Sequence, residues 1–171
     1  LGIIETVKNN YEINKNLPMK KYTIITAIQI LSFSIISIAS AQIFSGGDGT
    51  PQNPYQVSDV YQLQSIYQYL DKNFVLIDNI DATDTQYWDS NLGFRSFKGT
   101  FSGNFDGAGF TIQNLYQNRP DGEFGIFDSL GTSSIVKNLV IQNFDLDGTG
   151  GTIAKVNYGT ISNVQVHASL T

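Results

Sequence analysis

One six-residue pattern of apolar and polar positions, apolar-x-Asn-apolar-x-apolar, recurs four times along the chain. It reads Ile77-Asp78-Asn79-Ile80-Asp81-Ala82, then Ile112-Gln113-Asn114-Leu115-Tyr116-Gln117, where Gln117 breaks the last apolar position. It returns as Val136-Lys137-Asn138-Leu139-Val140-Ile141 and as Ile161-Ser162-Asn163-Val164-Gln165-Val166. Taken from Asn to Asn, the copies are 35, 24 and 25 residues apart. Alternating apolar residues turn one strand face inward. The Asn stands between two inward residues three apart, so the alternation slips by one there. Asn tolerates the left-handed backbone such a corner needs, and stacked on its copy it can build a side-chain ladder. Short strands and Gly/Asn corners repeating every ~24 residues predict a parallel β-solenoid, coil on coil at about 4.8 Å. Asn79, Asn114, Asn138 and Asn163, with Ile77, Ile112, Val136 and Ile161, are its expected structural repeat residues. The longer first interval predicts an insertion of about ten residues around Asp84 to Lys98. A β-sandwich sharing the motif by chance is the alternative, and four copies weigh against it.

The phase changes ahead of the repeats. Val60, Leu63, Ile66, Tyr67 and Leu70 fall at helical spacing, Ser58 can cap the start, and Asp71-Lys72-Asn73 ends the run. This predicts a helix over about 58–70 that covers the exposed end of the first coil. At the other end, Ile161, Val164 and Val166 lie on a coil with no repeat after it. The expectation is that the native protein continues and that this chain is its N-terminal piece.

Earlier still, Met19-Lys20-Lys21, an apolar stretch from Tyr22 to Ile38 and Ala39-Ser40-Ala41 follow the order of a secretory signal peptide cleaved after Ala41. A membrane anchor fits less well, because polar residues dilute the stretch and no stop-transfer charges follow. The expected organisation is residues 1–18 as an upstream translated or unstructured segment, 19–41 as signal peptide, 42–74 as N-terminal cap and 75–171 as solenoid coils. After cleavage no membrane insertion is expected, and no lipobox cysteine stands near the cleavage site.

Composition then narrows the function. Ten basic against fifteen acidic residues give a net charge of -5, and residues 42–171 alone carry six against thirteen. That acidity argues against nucleic acid as a partner. The chain has no cysteine, which excludes disulfides, thiolate zinc sites and a cysteine nucleophile. Its one histidine, His167, excludes H-E-x-x-H chemistry within this chain.

Three blocks carry a resemblance. Gly103-Asn104-Phe105-Asp106-Gly107-Ala108-Gly109-Phe110-Thr111-Ile112-Gln113-Asn114-Leu115-Tyr116 is similar to the G-T-F-D-G-N-G-H-T-I-x-N-L-Y segment of GLUG-repeat secreted bacterial proteins. Gly151 to Val164 resembles the GLUG motif itself, with Thr152 and Lys155 where two consensus glycines stand. Gly47-Asp48-Gly49-Thr50-Pro51, Pro54-Tyr55-Gln56-Val57-Ser58 and Gln62-Leu63 are similar to the usual lead-in, and Trp88 with Leu92-Gly93 fits the element before the F-D-G block. The resemblance implies an all-β fold, a right-handed parallel β-helix, in adhesin-like surface proteins or non-catalytic regions of large extracellular peptidases. Its motif residues are structural, and it brings no catalytic set.

The remaining candidates for chemistry are few. Calcium at Asp145-Leu146-Asp147-Gly148 or at Asp78, Asp81 and Asp84 is the weaker reading, because the third carboxylate and distal Glu of a calcium loop are missing and Asx residues at corners make local turn bonds. No cofactor is expected. A carbohydrate-cleaving groove would need two carboxylates, or a carboxylate with Arg and Lys, for which Asp106, Asp128, Arg95 and Lys98 are the plausible members, and no enzyme activity is expected. Trp88, beside Tyr87, together with Tyr116 and Tyr158 are the candidate ligand contacts, since exposed rings stack on sugars or anchor proteins. The expected role is a secreted or cell-surface, non-catalytic adhesion or recognition scaffold for an extracellular glycan or protein. The alternatives are the non-catalytic front of a large secreted peptidase or glycan-degrading enzyme, and an envelope spacer without ligand.

Overall fold

A computed structural model describes residues 42–119, 125–146 and 151–167. The expected signal peptide, the segment before it and Asp147 lie outside the described residues. The described elements in chain order are β1 (Tyr55–Val57), α1 (Val60–Ser65) continued by a 3-10 turn (Ile66–Gln68), β2 (Phe74–Leu76) and β3 (Ile80–Asp81). A second 3-10 segment (Thr83–Tyr87), β4 (Phe97–Phe101), β5 (Asn104–Asp106), β6 (Thr111–Gln113) and β7 (Tyr116–Gln117) follow. β8 (Phe127–Leu130), β9 (Ile135–Gln142), β10 (Asp145–Leu146), β11 (Ala154–Asn157) and β12 (Thr160–His167) complete them.

Every pairing between these strands is parallel. Successive coils stack as a β-solenoid of about three turns, with β2–β3, β4–β7, β8–β10 and β11–β12 as the levels. One column of strands runs β1-β2-β5-β9 and a second runs β3-β6-β9, with β12 beneath both halves of β9. The wall β4-β8-β11 forms another side.

Register shows why the chain is read this way. Tyr55, Phe74, Phe105, Val136 and Ile161 form one stack. Ile80, Ile112, Ile141 and Val166 form another. Each inward position sits on its equivalent one coil away, so apolar faces bury each other without a second sheet. The coil rise is therefore not a constant 24 residues. Ile80, Ile112, Ile141 and Val166 lie 32, 29 and 25 residues apart.

This corrects the single-motif alignment. Ile112 belongs to the stack of Ile80 and Ile141, whereas Val136 belongs with Phe105 and Ile161. Ile77 lies between β2 and β3 at 41% exposure, outside both stacks. The four phrases look alike because each coil has two places where an inward strand steps past a corner, and the pattern does not distinguish them.

Phenylalanine fills the wide part of the interior. Phe127 packs edge-on against Phe97 at 5.2 Å and Phe105 at 6.0 Å, and lies 4.8 Å from Phe101. The helix is shorter than 58–70, and its cap is Asp59 rather than Ser58. Asp59 Oδ1 accepts from the Tyr61 and Gln62 N–H groups at 2.9 and 2.8 Å, satisfying donors the first turn leaves open. Ser58 instead gives its own N–H to Gln62 Oε1 at 2.9 Å. Val60, Leu63 and Ile66 are buried in the same apolar cluster as Val57 and Phe74. Ile161 and Val166 on the last described strand are 37% and 43% exposed.

Candidate functional site

Three of the four motif asparagines, Asn114, Asn138 and Asn163, stand in two separate columns on the coil corners. In one, Asn163 Nδ2 donates to Asn138 Oδ1 at 2.8 Å, and Asn138 Nδ2 donates to Asp106 Oδ1 at 3.1 Å. In the other, Asn143 Nδ2 donates to Asn114 Oδ1 at 3.2 Å, and Asn114 Nδ2 donates to Asp81 Oδ1 at 3.0 Å. Each ladder thus runs Asn to Asn to Asp. Asn114, Asn138, Asn143 and Asn163 all have φ between 50° and 60°, the left-handed region that Asn enters more readily than most residues. Asn79 has no positive φ, and its Oδ1 accepts the Thr111 N–H at 2.9 Å, so it stands outside both columns.

The aspartates at the ladder ends take further hydrogen bonds besides those from the asparagines. Asp106 also accepts the Ala108 N–H at 2.9 Å and pairs with Lys137 at 3.2 Å. Burial raises its pKa, but the Ala108, Asn138 and Lys137 contacts outweigh burial and hold the carboxyl below the usual range. Asp81 is lowered by the Thr83 hydroxyl first and the Asn114 amide second. Asp78 caps the Asn79 N–H at 2.7 Å, and Asp84 accepts from the Tyr61 hydroxyl at 3.2 Å. Among the described residues no group of three His, Asp or Glu side chains is placed to hold a metal ion.

A different set of residues builds a cleft. The segment after β3 leaves the solenoid wall, and with the helix and the start of β4 it encloses a half-open cavity of about 510 Å³. Its lining includes Gln64, Tyr67, Trp88, Asp89, Arg95, Lys98 and Arg119. The chain has two arginines, and both end on one carboxylate. Arg119 Nη1 reaches Asp89 Oδ2 at 2.9 Å and Arg95 Nη2 reaches the same oxygen at 2.6 Å. The Arg119 hydrogen bond, and after it that of Arg95, holds the Asp89 carboxyl below the usual range.

Arg119 is fixed through its side chain and Arg95 through its backbone. The Arg119 side chain is 3% exposed, its Nε donating to the Phe94 carbonyl at 2.9 Å and its Nη2 to the Gly93 carbonyl. A planar fork satisfies such a fixed set of acceptors in a way an ammonium cannot. Arg95 is held at its backbone: Gln64 Oε1 accepts its N–H and Gln64 Nε2 donates to its carbonyl, each at 2.9 Å. Its guanidinium side is open, at 59% side-chain exposure. The loop carries three consecutive left-handed residues, Asp89, Ser90 and Asn91, with φ of 52°, 58° and 66°. A left-handed residue other than glycine costs about 1–2 kcal/mol.

Of the residues expected to contact a ligand, the structure brings Trp88 into the cleft, its ring 5.2 Å from that of Tyr61. Tyr116 lies behind it in β7, half-buried, its carbonyl taking the Phe94 N–H at 2.9 Å. Tyr158 is 69% exposed beside β11 and does not line the cleft. Arg95 and Lys98 line it, but Asp106 sits at its ladder corner, and Asp128 accepts the Gly99 N–H at 3.4 Å. Gln64, Tyr67, Asp89 and Arg119 were not visible as site residues in the sequence. A signal existed only in the scarcity of arginine. Gln117, which broke the second motif copy, is buried; it accepts the Gly125 N–H at 2.9 Å and donates to the Gly125 carbonyl at 3.1 Å.

No protein-family model matches the chain. A protein named halomucin from Haloquadratum walsbyi is 34% identical over 129 aligned positions, which take in 69% of this chain and 1% of that protein. A protein of Evansella cellulosilytica, named as a Gly-rich membrane protein, is 30% identical over 168 aligned positions, 86% of this chain and 19% of that protein. This chain therefore spans a small fraction of the length of the curated relatives it matches. The crystal structure of a candidate immunoglobulin A1 protease from Bacteroides ovatus superposes with a TM-score of 0.52 at 22% identity. The match covers 72% of this chain and 40% of that one, and it concerns the fold. Among the described residues no helix is long and apolar enough to cross a membrane.

Proposed function

We propose that this chain is an exported, non-catalytic repeat module that acts as a recognition scaffold at the cell surface. The observation that carries the reading is a division of labour among its polar residues. The motif side chains are spent on coil-to-coil bonds, whereas the loop after β3 builds a preorganised cleft that closing a coil does not require. The relatives support a surface location by their names, halomucin and Gly-rich membrane protein. The GLUG-type assignment of the repeats belongs to the same proposal. It is supported by the F-D-G block, where Asp106 caps Ala108 and a β-carbon on Gly107 would run into the Asn138 carbonyl. The non-catalytic reading is supported by the separation of Asp106 from Arg95 and Lys98, and by the bonds its oxygens already make.

The test is a solid-phase panel of glycans and matrix proteins probed with the full chain. Saturable binding to at least one class is expected. Background signal across the panel from folded protein would overturn the recognition role and leave an envelope spacer or the non-catalytic front of a secreted enzyme.

A further inference from the structure

We propose that the cleft between the helix and the loop after β3 binds an uncharged saccharide. A pyranose ring lies against Tyr67 and Trp88, and two neighbouring hydroxyls are clasped by Arg95 and Asp89. The inference rests on the surface-recognition reading and deepens it, because neutral glycans are among the ligands that such a surface meets. Three observations carry it.

The first is how charge is arranged. Asp89 Oδ2 takes Arg119 Nη1 at 2.9 Å and Arg95 Nη2 at 2.6 Å, so carboxylate and guanidinium lie side by side and answer each other. Neither bond uses Asp89 Oδ1, nor Arg95 Nη1 or Nε, and the Asp89 and Arg95 side chains are 37% and 59% exposed. An acceptor and a donor fork therefore stand next to each other at the cleft. An anion brought there meets the carboxylate, and a cation meets the guanidinium. A hydroxyl donates and accepts at once. Two vicinal hydroxyls thus give an O–H to Asp89 and take an N–H from Arg95 while bringing no charge of their own.

The second is the aromatic lining. Tyr67 and Trp88 both border the cavity, and Tyr67 is 53% exposed. The Trp88 ring leans on that of Tyr61, 5.2 Å between centroids, and the Tyr61 hydroxyl is tied to Asp84 Oδ2 at 3.2 Å. A pyranose has a flat C–H face and a rim of hydroxyls, so apolar rings beside fixed polar groups meet both. The half-open cavity of about 510 Å³ lies within the range of small-ligand sites, ~300–1,000 Å³.

The third is preorganisation. Gln64 holds the Arg95 backbone at both its N–H and its carbonyl, and buried Arg119 holds Asp89 from behind. Polar groups positioned beforehand lose less freedom when a ligand arrives. The left-handed run Asp89-Ser90-Asn91 adds a backbone cost at the same place, of the kind that binding loops retain.

The chain has one tryptophan, Trp88, so intrinsic tryptophan fluorescence reports on the cleft alone. The full chain is titrated with the methyl glycosides of glucose, galactose, mannose and N-acetylglucosamine, and with the fully O-methylated form of any that responds. Methyl glucuronide, adenosine and a blocked neutral dipeptide are run beside them. A saturable change is expected with at least one neutral glycoside, at a Kd on the order of 10 mM. The O-methylated form keeps the ring but cannot donate, and it is expected to bind at least ~10-fold more weakly. The R95A and Y67A variants are expected to weaken binding as much, while Y158A, outside the cleft, binds as the parent does. Arg95 and Tyr67 are exposed, so these variants keep the fold, and circular dichroism verifies it.

No saturable response to any neutral glycoside at about 100 mM would overturn the proposal. So would equal affinity for the O-methylated form, or unchanged binding by R95A or Y67A. Glucuronide binding ~10-fold more tightly than the best neutral glycoside would make this an anion site, and adenosine or the dipeptide binding as well as the sugars would make it a site of another kind; either overturns the proposal. A positive panel with a silent cleft would overturn this site and leave surface recognition standing. A responsive cleft with a silent panel would support the site and count against the surface role.

Discussion

Asn163 donates its side-chain amide to Asn138 Oδ1 at 2.8 Å, and that bond lengthens a column that Asp106 terminates one coil above. Asn114, which the sequence motif equates with Asn138, belongs to a separate column with Asn143 and Asp81. The fold is thus pinned at two corners per coil, each by an amide ladder ending on a carboxylate.

Asn138 sits mid-ladder and in the left-handed region, so the two contributions can be separated. N138A loses two side-chain hydrogen bonds and forces alanine to φ 52°; a loss of about 2–3 kcal/mol is expected. N138G relieves the backbone but not the bonds, and about 1–2 kcal/mol is expected. Urea unfolding of the two variants measures the difference, and equal losses would show that backbone strain plays no part.

The register itself can be trapped, because the chain has no cysteine. Gln113 and Gln142 are partners across β6 and β9, at the ~4.8 Å strand spacing that falls within disulfide reach. Q113C with Q142C is expected to cross-link on mild oxidation. Q113C with Lys137→Cys, the pair the motif alignment would place level, is expected to stay reduced; a reversed result would restore the single-motif stacking.

Acid should loosen the corners. Asp81 and Asp106 both have folded-state pKa values below the ordinary 3.8. The unfolded chain therefore binds more protons at low pH. Their contribution is fully present above the ordinary value and is lost as pH falls through the lowered ones. Thermal midpoints are expected to hold steady at mildly acidic pH and to fall below about pH 4. D81N and D106N, which keep an acceptor oxygen but cannot titrate, should flatten that fall.

Much of the architecture was legible because solenoid physics is local. Inward alternation, a slip at Asn138 and Asn163, and the loop insertion near Asp84 are written in adjacent residues. What the sequence left ambiguous was which corner each phrase occupies, since both corners ask for the same residue types. The cleft was less legible still. Trp88, Arg95 and Lys98 could be noticed singly, but Gln64 and Arg119 reach Arg95 and Asp89 across 31 and 30 positions, a separation set by the loop's path rather than by any period. The cap is Asp59 because its carboxylate, one residue nearer the helix than Ser58, takes the Tyr61 and Gln62 N–H groups.

Phe127 is the hinge of the aromatic interior, touching rings from β4 and β5. F127A is expected to cost about 3–5 kcal/mol, read as a drop in urea midpoint. A cost below about 1 kcal/mol would mean that the neighbouring rings close the cavity.

Arg119 holds the cleft from behind. R119K keeps the charge but loses the fork that reaches Asp89 and the Gly93 and Phe94 carbonyls. Its effect should appear locally, as a red shift and increased quenching of Trp88 emission. An unshifted spectrum would show that the loop holds its own shape.

Recognition at a surface is tested most directly by adhesion itself. Beads coated with the full chain are flowed over glycan-coated and matrix-coated surfaces and those retained are counted beside albumin-coated beads. Retention on at least one surface, abolished by excess free chain, is the expected result. Retention no greater than that of albumin on every surface, with the coating shown to be folded, would contradict it.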